Sequence, residues 1–569
     1  MSQHELLQLR LAVQRNPADF IAWVMLADTE LDVGDARAGL AAVQRAMALR
    51  PGHPEALARL GRAYWALGRH AEAVPPLQRA SALAPEHPGM ALWLGHALED
   101  ANEAEAAAQA YERAYRLMPE EGAFAAYLLN WRRKLCDWRD LDTLSTQVRN
   151  AVAKGNPAIE PFAFLSEEAS ASEQLACARS RAMQIARATT RLPPLPAREG
   201  AQLRLGFMSN GFGAHPTGLL TVAFFEALAA DQGIEIHLFA TSNDDGSDIR
   251  QRLDKASHLH DLTSMDHASM ATHIHAAGMD ILYDLRGWGG GGTPEVFARR
   301  PAPVQVNWLA YPGTSGAPWI DYVLADRFVL TESMASAFSE SAAWLPRCFQ
   351  PSDTLRQIEA TPTRSECGLP EQGVVFACFN NSYKLNPASF SRMLQILADV
   401  PGSVLWLLSG PGRSDARLQA AAQAAGIDSA RIVCMKKLPH ASYMARYPLV
   451  DLFLDTTPYN AHTTASDALW AGCPVLTLPG HTFAARVAGS LNHHLGLDGM
   501  NMESPQAFVA TAIRLGRDPA ALAELRGTLQ QAREKSGLFD MAGFAKDFAA
   551  IARVMSMRQR NNLAPVAID

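Results

Sequence analysis

The apolar and polar positions of the first quarter of the chain repeat every 34 residues. Prolines mark the period at Pro17, Pro51, Pro85 and Pro119. Apolar and small residues recur with the same step, at Leu26, Leu60 and Leu94; Ala27, Gly61 and Gly95; Gly39, Ala73 and Ala107; and Ala46, Ala80 and Ala114. Small residues at matched positions let paired helices approach closely. Because each unit buries its apolar face only against its neighbours, the pattern predicts a stack of helix pairs.

This period and its residues resemble the tetratricopeptide repeat. The resemblance implies an α-helical, right-handed superhelix whose groove binds extended polypeptide. The alternative is that the repeats only pack against the rest of the chain.

The pattern changes after the repeats. Residues 123–135 and 173–189 have helical patterns. They are followed by the proline run Leu192-Pro193-Pro194-Leu195-Pro196, which is typical of a linker. Beyond it, short apolar runs alternate with helical segments, at 203–208, 234–239, 280–285, 304–308, 374–379, 404–408, 431–435, 452–454 and 475–478. Alternation of this kind predicts two parallel, doubly wound α/β sheets, with a break near 350–370.

The predicted domains are therefore four. Residues 1–135 form the repeats and residues 136–200 a helical linker region. Residues 201–360 form the first Rossmann-like half, and residues 361–569 the second half with the C-terminal helices. Ligands bind such sheets at the carboxyl ends of the strands, so we expect a site in the cleft between the halves.

Composition excludes several classes of function. No run of about eighteen apolar residues occurs, and the N-terminus lacks the features of a signal peptide, so we expect a cytoplasmic chain with no membrane partner. Its seven cysteines are scattered without a CxxC pair, which argues against disulfides and structural zinc. A net charge of −7 argues against a nucleic-acid partner.

The segment from Asp455 to Gly472 is the most informative single stretch. A buried strand at 452–454 is followed by a loop, by the N-cap residue types Thr463 and Thr464, and by a small-residue helix over 465–471. A helix N-terminus carries free N–H groups and a partial positive charge, which suit a phosphate oxygen. The alternative is an ordinary junction between strand and helix.

Four further loops follow strands. His215 presents an imidazole that is able to act as a general base, or one that only fixes a turn. The glycine-rich segment 286–293 allows close approach to a ligand, or is a flexible spacer. The turn at 311–316 offers backbone N–H groups to a sugar or phosphate, or is simply tight. Lys384 is suited to neutralise a leaving phosphate, or is solvated.

The segment Lys436-Lys437-Leu438-Pro439-His440 adds positive charge and a flat ring at another strand end. These features suit the base and ribose of a nucleotide, whereas the alternative is a solvated basic turn. This segment and the four loops above make five polar loops at strand ends of two facing sheets, which packing alone does not readily explain.

Taken in order, four of these motifs resemble the O-linked N-acetylglucosamine transferase family. They are the segments 213–217, 309–316, 379–384 and 460–472, and the likeness, with the repeats, covers nearly the whole chain. The resemblance implies an inverting glycosyltransferase of the GT-B fold. Its donor is a UDP-sugar, UDP-N-acetylglucosamine, and its acceptor is a Ser or Thr hydroxyl of a polypeptide in the repeat groove. No metal and no cofactor are expected.

The same resemblance assigns roles to individual residues. Lys384 takes the β-phosphate, and His462, Thr463 and Thr464 take the rest of the diphosphate. Asp467 accepts from the ribose hydroxyls, His440 lies against the uracil, and Lys437 lies near the ribose. His215 sits beside the sugar and the acceptor, where it removes the acceptor proton or only positions the reactants while a phosphate oxygen takes that proton. Candidates for the sugar pocket are Pro312, Gly313, Thr314, Asn381, Tyr383 and Tyr459.

The chain departs from the family at two places near this pocket. Animal members have Cys-Asn-Gly where this chain has Tyr459-Asn460-Ala461, and Gln at the position of Asn381. Three readings of the function follow. The first is the transfer just described, the second uses another nucleotide sugar such as GDP-fucose or UDP-glucose, or an Asn acceptor, and the third is a peptide-binding scaffold with little turnover.

Overall fold

The computed structural model describes residues 3–195 and 202–569 of the chain. Two compact units make it up, one formed by residues 3–148 with 410–414 and the other by residues 149–409 with 415–569. Pro196 of the predicted proline linker lies outside the described residues, as do residues 197–200 of the predicted linker region and residue 201.

Antiparallel helix pairs build the first unit, as the 34-residue period predicts. Within each pair the helices pack closely, and successive pairs stack on one another. The helices are α1 Gln3–Arg15, α2 Phe20–Asp32, α3 Ala36–Leu49, α4 Pro54–Ala66, α5 His70–Leu83, α6 Pro88–Asp100, α7 Ala104–Leu117, α8 Gly122–Lys134 and α9 Leu141–Ala153, the last of which continues into the second unit.

The repeated small residues lie where helices touch. A Cβ on Gly61 would stand 2.3 Å from Cγ of Leu77, and one on Gly95 would stand 2.6 Å from Cε1 of Tyr111. The repeated alanines Ala27, Ala46, Ala73, Ala80, Ala107 and Ala114 are fully buried. The predicted role of these positions in close helix packing is confirmed.

A row of larger side chains recurs with the same period on the first helix of each pair. Met25, Arg59, Trp93 and Tyr127 occupy equivalent positions on α2, α4, α6 and α8. Neighbouring side chains connect the row, since Arg59 pairs with Asp28 at 2.6 Å and its guanidinium lies 5.5 Å from the Trp93 ring centroid. A ladder of charged and aromatic groups therefore connects α2, α4 and α6.

The second unit begins with helices α10 Pro161–Phe164 and α11 Ala171–Ala188 and continues into a seven-stranded parallel sheet. Its strand order is β3-β2-β1-β4-β5-β6-β7. The strands are β1 Leu203–Ser209, β2 Ile234–Ala240, β3 His258–Asp261, β4 Ile281–Asp284, β5 Val304–Asn307, β6 Tyr322–Asp326 and β7 Ser341–Leu345. The helices between them are α12 Pro216–Leu228, α13 Asp248–Ala256, α14 His267–Ala277, α15 Pro294–Ala298 and α16 Glu332–Ala335.

Sequence patterns predicted four of these seven strands. The edge strand β3 was missed because its sequence His-Leu-His-Asp carries one aliphatic residue and is largely solvent-exposed. Strands β6 and β7 are buried, but each is a five-residue run with no helix-length segment of clear period between them.

A five-stranded parallel sheet of order β10-β9-β8-β11-β12 follows the break that the sequence predicts. All five of its strands were predicted, with ends that differ by up to two residues. They are β8 Val375–Cys378, β9 Val404–Leu408, β10 Ile432–Met435, β11 Leu452–Leu454 and β12 Val475–Leu476. The remaining helices are α17 Pro387–Asp399, α18 Ser414–Ala424, α19 His440–Met444, α20 Thr463–Trp470, α21 Val487–His494, α22 Pro505–Arg517, α23 Pro519–Lys535 and α24 Met541–Arg560.

The last helix, α24, packs against the first sheet and its helices, although the sequence assigned it to the second half. Phe548 lies 4.8 Å from Phe224 and 5.0 Å from Trp308, measured between ring centroids. The segment after α24 also joins this half, since the N–H of Trp344 donates to the carbonyl of Ile568 at 2.8 Å. Burial of these aromatic rings stabilises the packing of the C-terminal segment against the first half.

Among the described residues, none of the helices combines the length and apolar character needed to cross a bilayer. Five of the seven cysteines are buried, in line with their predicted role as small core residues, and Cys367 and Cys434 are partly exposed.

Candidate functional site

The carboxyl end of β11 leads through a loop into helix α20, and this junction forms the centre of the site. The sequence predicted the strand, loop and helix, but it placed the N-cap at Thr463 or Thr464. His462 is instead the N-cap residue, and the two threonines form the start of the helix. The first N–H groups of a helix have no partner within it and carry partial positive charge, so they suit an anion.

Asp455 organises this loop from a fully buried position. Its carboxylate accepts from the N–H of Ala461 at 2.6 Å, the N–H of Thr456 at 2.8 Å and the hydroxyl of Thr477 at 2.7 Å. The side-chain amide of Asn380 adds a fourth bond at 3.1 Å. Burial raises the pKa of Asp455, whereas these hydrogen bonds act in the opposite direction. Sequence reasoning missed this residue, although a carboxylate directly after a buried strand was the available signal.

Lys384 lies beside the same loop and is buried rather than solvated. Its Nζ donates to the carbonyl of Asn460 at 2.7 Å and stands 3.8 Å from the centroid of the Tyr459 ring. Burial lowers the pKa of the Lys384 ammonium, and the carboxylate of Asp455 opposes that shift. A fixed, desolvated cation therefore faces the loop that begins α20.

His462 contributes no charge to this junction. Its Nε2–H donates to the carbonyl of Ala484 at 3.1 Å, and burial holds the pKa of the imidazole well below its usual value. With the ring tied to Ala484, the backbone at the helix start and Lys384 supply the positive potential.

Asp467, one turn into α20, holds two basic side chains. Its carboxylate pairs with Arg356, and its Oδ2 lies 3.3 Å from Nε2 of His440. Arg356 and His440 line a cavity of 460 Å³ together with Ala214 and Leu219. Lys437, three residues before His440, is exposed. Asp467 and His440 therefore meet at one place, and Arg356 is an addition that the sequence did not reveal.

His215 caps helix α12 at the facing edge of the first half. Its Nδ1 accepts from the N–H of Thr217 at 3.2 Å, so in the neutral ring the proton sits on Nε2. Burial, together with the charges of Arg286 and Lys437, lowers the pKa of His215 to about 4. Because Ala214 and Leu219, on either side of His215, line the same cavity as His440, His215 lies across the cleft from the predicted nucleoside residues.

The glycine-rich segment after β4 is ordered by its neighbours. The side-chain amide of Asn210 donates to the carbonyl of Gly290 at 3.3 Å, and Arg286 donates to the same carbonyl. A Cβ on Gly291, whose φ is +74°, would stand 1.9 Å from Nδ2 of Asn210, so this position requires glycine.

The predicted sugar-pocket residues separate into two groups. Tyr459 and Tyr383 lie together in an aromatic cluster with Phe162, Tyr311 and Trp288, beside Lys384. In the turn at 311–316, Pro312, Gly313 and Thr314 are buried.

Two bonds tie that turn to the rest of the first half. The Thr314 hydroxyl donates to Glu340 at 2.6 Å, and the Gly313 carbonyl accepts from Asn307 at 2.8 Å. Asn381 is exposed at the start of the short helical turn that carries Lys384. Whether these residues contact a sugar remains a prediction.

Comparison with known proteins gives the family. The model of glycosyl transferase family 41 matches residues 167–359 and 352–548, and a tetratricopeptide-repeat model matches residues 24–88. The chain belongs to glycosyl transferase family 41. The predicted resemblance and the predicted repeats are thereby confirmed.

Two curated relatives match about three quarters of this chain. A probable UDP-N-acetylglucosamine–peptide N-acetylglucosaminyltransferase SEC of Arabidopsis thaliana is 33% identical over 444 residues, which cover 74% of this chain and 45% of the relative. The Caenorhabditis elegans UDP-N-acetylglucosamine–peptide N-acetylglucosaminyltransferase is 25% identical over 558 residues, covering 75% of this chain and 48% of the relative. The chain thus spans about half the length of these relatives.

A solved structure matches the family-41 chain almost end to end. It is a mutant of the Thermobaculum terrenum O-GlcNAc transferase, with 25% identity, a TM-score of 0.69, and coverage of 96% of this chain and 99% of that one. Helical repeats followed by two parallel-sheet α/β domains are common to both, which confirms the predicted fold class.

Proposed function

We propose that this family-41 glycosyltransferase moves N-acetylglucosamine from UDP-N-acetylglucosamine to Ser or Thr hydroxyls of polypeptides, with inversion and without a metal ion. The names of its relatives support the donor and the polypeptide acceptor. The inverting, metal-free course rests on the site itself.

The observation that carries the proposal is the pairing of buried Lys384 with the N-terminus of α20. When the bond between C1 of the sugar and the β-phosphate oxygen breaks, its electron pair goes to that oxygen. Lys384 and the first N–H groups of α20 supply positive charge there, preorganised and largely desolvated. They do for the leaving diphosphate what a bound divalent cation does in other transferases.

The nucleoside end of the donor fits the group around Asp467. His440 offers a flat ring, Lys437 an exposed charge and Asp467 a carboxylate for ribose hydroxyls, in the segments that follow β10 and β11. The adjoining cavity of 460 Å³ has a size suited to a nucleoside.

His215 positions the reactants in this account and does not remove the acceptor proton. Its only basic nitrogen, Nδ1, already accepts the Thr217 N–H, and the Nε2–H is a donor. The acceptor oxygen attacks C1 from the face opposite the diphosphate, which inverts that carbon. Its proton passes to an oxygen of the departing diphosphate, so charge and atoms balance.

The polypeptide acceptor is assigned to the ladder on α2, α4 and α6. Charged and aromatic groups recur there with the repeat, as in the contacts of Arg59 and Arg62 with Trp93. A repeated row suits a chain that is itself a repeat of peptide units.

A donor panel tests the proposal. The intact protein is incubated with an acceptor protein mixture and, in separate reactions, UDP-N-acetylglucosamine, UDP-glucose and GDP-fucose, and modified residues are located by mass spectrometry. We expect N-acetylhexosamine on Ser and Thr from the first donor. Transfer from another donor only, transfer to Asn, or no transfer by a folded protein would overturn the proposal in three distinguishable ways.

A further inference from the structure

The linker between the two halves carries two ion pairs of opposite polarity, three residues apart. Asp353, fully buried, accepts from Arg252 of α13 in the first half at 2.9 Å and 3.1 Å. Arg356, whose side chain is also fully buried, pairs with Asp467 of α20 in the second half. A short stretch of chain is thus pinned to both sides of the cleft.

Arg356 is held in place by more than its ion pair. Its guanidinium donates to the hydroxyl of Ser352 in the linker and to the hydroxyl of Ser466 in α20, the latter at 3.2 Å. Its Nε–H has no protein partner among the described residues, although the atom is buried.

We propose that Arg356 is a positioning residue for nucleotide recognition, acting on the nucleotide through Asp467 and His440. The inference rests on the proposed function, because it takes the group around Asp467 to be the nucleoside site. It adds a residue from the interdomain linker, so nucleotide affinity depends on the linker's attachment to both halves.

Charge compensation provides the mechanism. Asp467 is 4% exposed, and a carboxylate at such a depth is costly without a cation beside it. Arg356 on Oδ1 supplies that cation, and Oδ2 of the same carboxylate orients Nε2 of His440. Without Arg356, the carboxylate loses its partner, and the imidazole loses the group that sets its ring plane.

The test compares Arg356→Met, Arg356→Lys, His440→Ala and the double variant Arg356→Met/His440→Ala, with UDP affinity measured by calorimetry. Arg356→Met is expected to weaken UDP binding by about tenfold or more, the scale of a lost hydrogen bond to a charged group. Lysine restores part of that loss, because it keeps the charge without the planar fork. The double variant loses less than the two single losses combined.

Arg431→Met serves as the matched control. Arg431 is a partly buried arginine of the second half that donates to the carbonyls of Ser403 and Leu397, away from the nucleotide residues. It should lower thermal stability and leave UDP affinity unchanged. If Arg356→Met behaves like this control, or tightens UDP binding, the inference is overturned while the proposed function stands. A folded wild-type chain that binds neither UDP nor GDP overturns both.

Discussion

At the scale of single residues, the site depends on charges and tautomers that burial fixes. Lys384 and Asp455 belong to one buried group, with Asn460 and Ala461 between them in the chain of hydrogen bonds. The sequence pointed to Lys384 because a lysine after a strand is conspicuous. It did not point to Asp455 or Arg356, since their importance comes from partners distant in sequence.

Removing the cation at the diphosphate tests the electrostatic role of Lys384. Lys384→Met should lower kcat by about 10²-fold or more, the scale of losing a preorganised donor at a developing anion. UDP binding should weaken less, because the helix N-terminus remains. Steady-state kinetics and UDP calorimetry make the comparison, with exposed Lys535→Met at the end of α23 as the control. Equal losses in both variants would contradict the assignment.

Two substitutions separate the two nitrogens of His215. Asparagine reproduces the Nδ1 acceptor that caps α12, and glutamine reproduces the Nε2 donor. We expect His215→Asn to keep thermal stability but lose transfer, and His215→Gln to lose stability but keep more of the transfer rate. UDP affinity should be similar in both. Loss of transfer in both variants, since neither amide takes up a proton, would indicate a general base instead.

The depressed pKa of His215 also predicts a dependence of stability on pH. The folded pKa of about 4 lies below the ordinary value of about 6.5, so the unfolded chain binds more protons between these limits. The contribution of His215 to the stability of the folded state is fully present above pH 6.5 and falls as the pH drops toward 4. The free energy of unfolding in urea should therefore fall more between pH 7 and pH 5 for the wild type than for His215→Asn. An equal fall in the wild type and in His215→Asn would show that His215 does not cause this pH dependence.

At the scale of elements, the junction of β11, its loop and α20 is preformed by hydrogen bonds to Asp455. The sequence predicted this junction because a buried strand, a polar loop and a small-residue helix are each visible in local pattern. It placed the cap one or two residues late, because loop hydrogen bonds to Asp455 and Ala484 decide where the helix begins. Strand β3 was not predicted for a related reason, since an exposed edge strand need not be apolar.

Replacing the organiser of the loop tests its role. Asp455→Asn removes the negative charge beside Lys384 and turns one acceptor into a donor facing other donors. We expect a loss of about 3–5 kcal/mol in unfolding free energy, as for a broken buried pair. Thr477→Val removes one of the hydrogen bonds and should cost about 1 kcal/mol. Denaturant unfolding measures both losses of stability. Equal losses would show that Asp455 contributes no more to the loop than the single hydrogen bond of Thr477.

At the scale of the whole molecule, a 34-residue period and alternating strand patterns were enough to predict both architectures. Packing of α24 on the first half could not be predicted, because its amphipathic pattern fits either sheet. Likewise, the period showed that helices stack but gave no chemistry for their exposed faces. The ladder through Trp93 became visible only with the structure.

The ladder is tested without truncating the chain. Trp93→Ala removes the ring against which Arg59 and Arg62 lie and should lower transfer to protein substrates several-fold more than transfer to short peptides. Leu83→Ala, an exposed apolar residue of a second helix, serves as the control. Unchanged relative efficiency in a folded Trp93 variant would show that the ladder does not select acceptors.

We propose, for the molecule as a whole, that Lys384 and the start of α20 support sugar transfer without a metal ion. The most direct measurement is peptide mass spectrometry, together with NMR of the anomeric proton, on a polypeptide acceptor after incubation with this protein, UDP-N-acetylglucosamine and excess EDTA. The account predicts an acceptor carrying N-acetylhexosamine in the β-configuration on Ser or Thr, at a rate unchanged by the chelator. Transfer that stops with EDTA and returns with a divalent cation, or that retains the α-configuration of the donor, would contradict it.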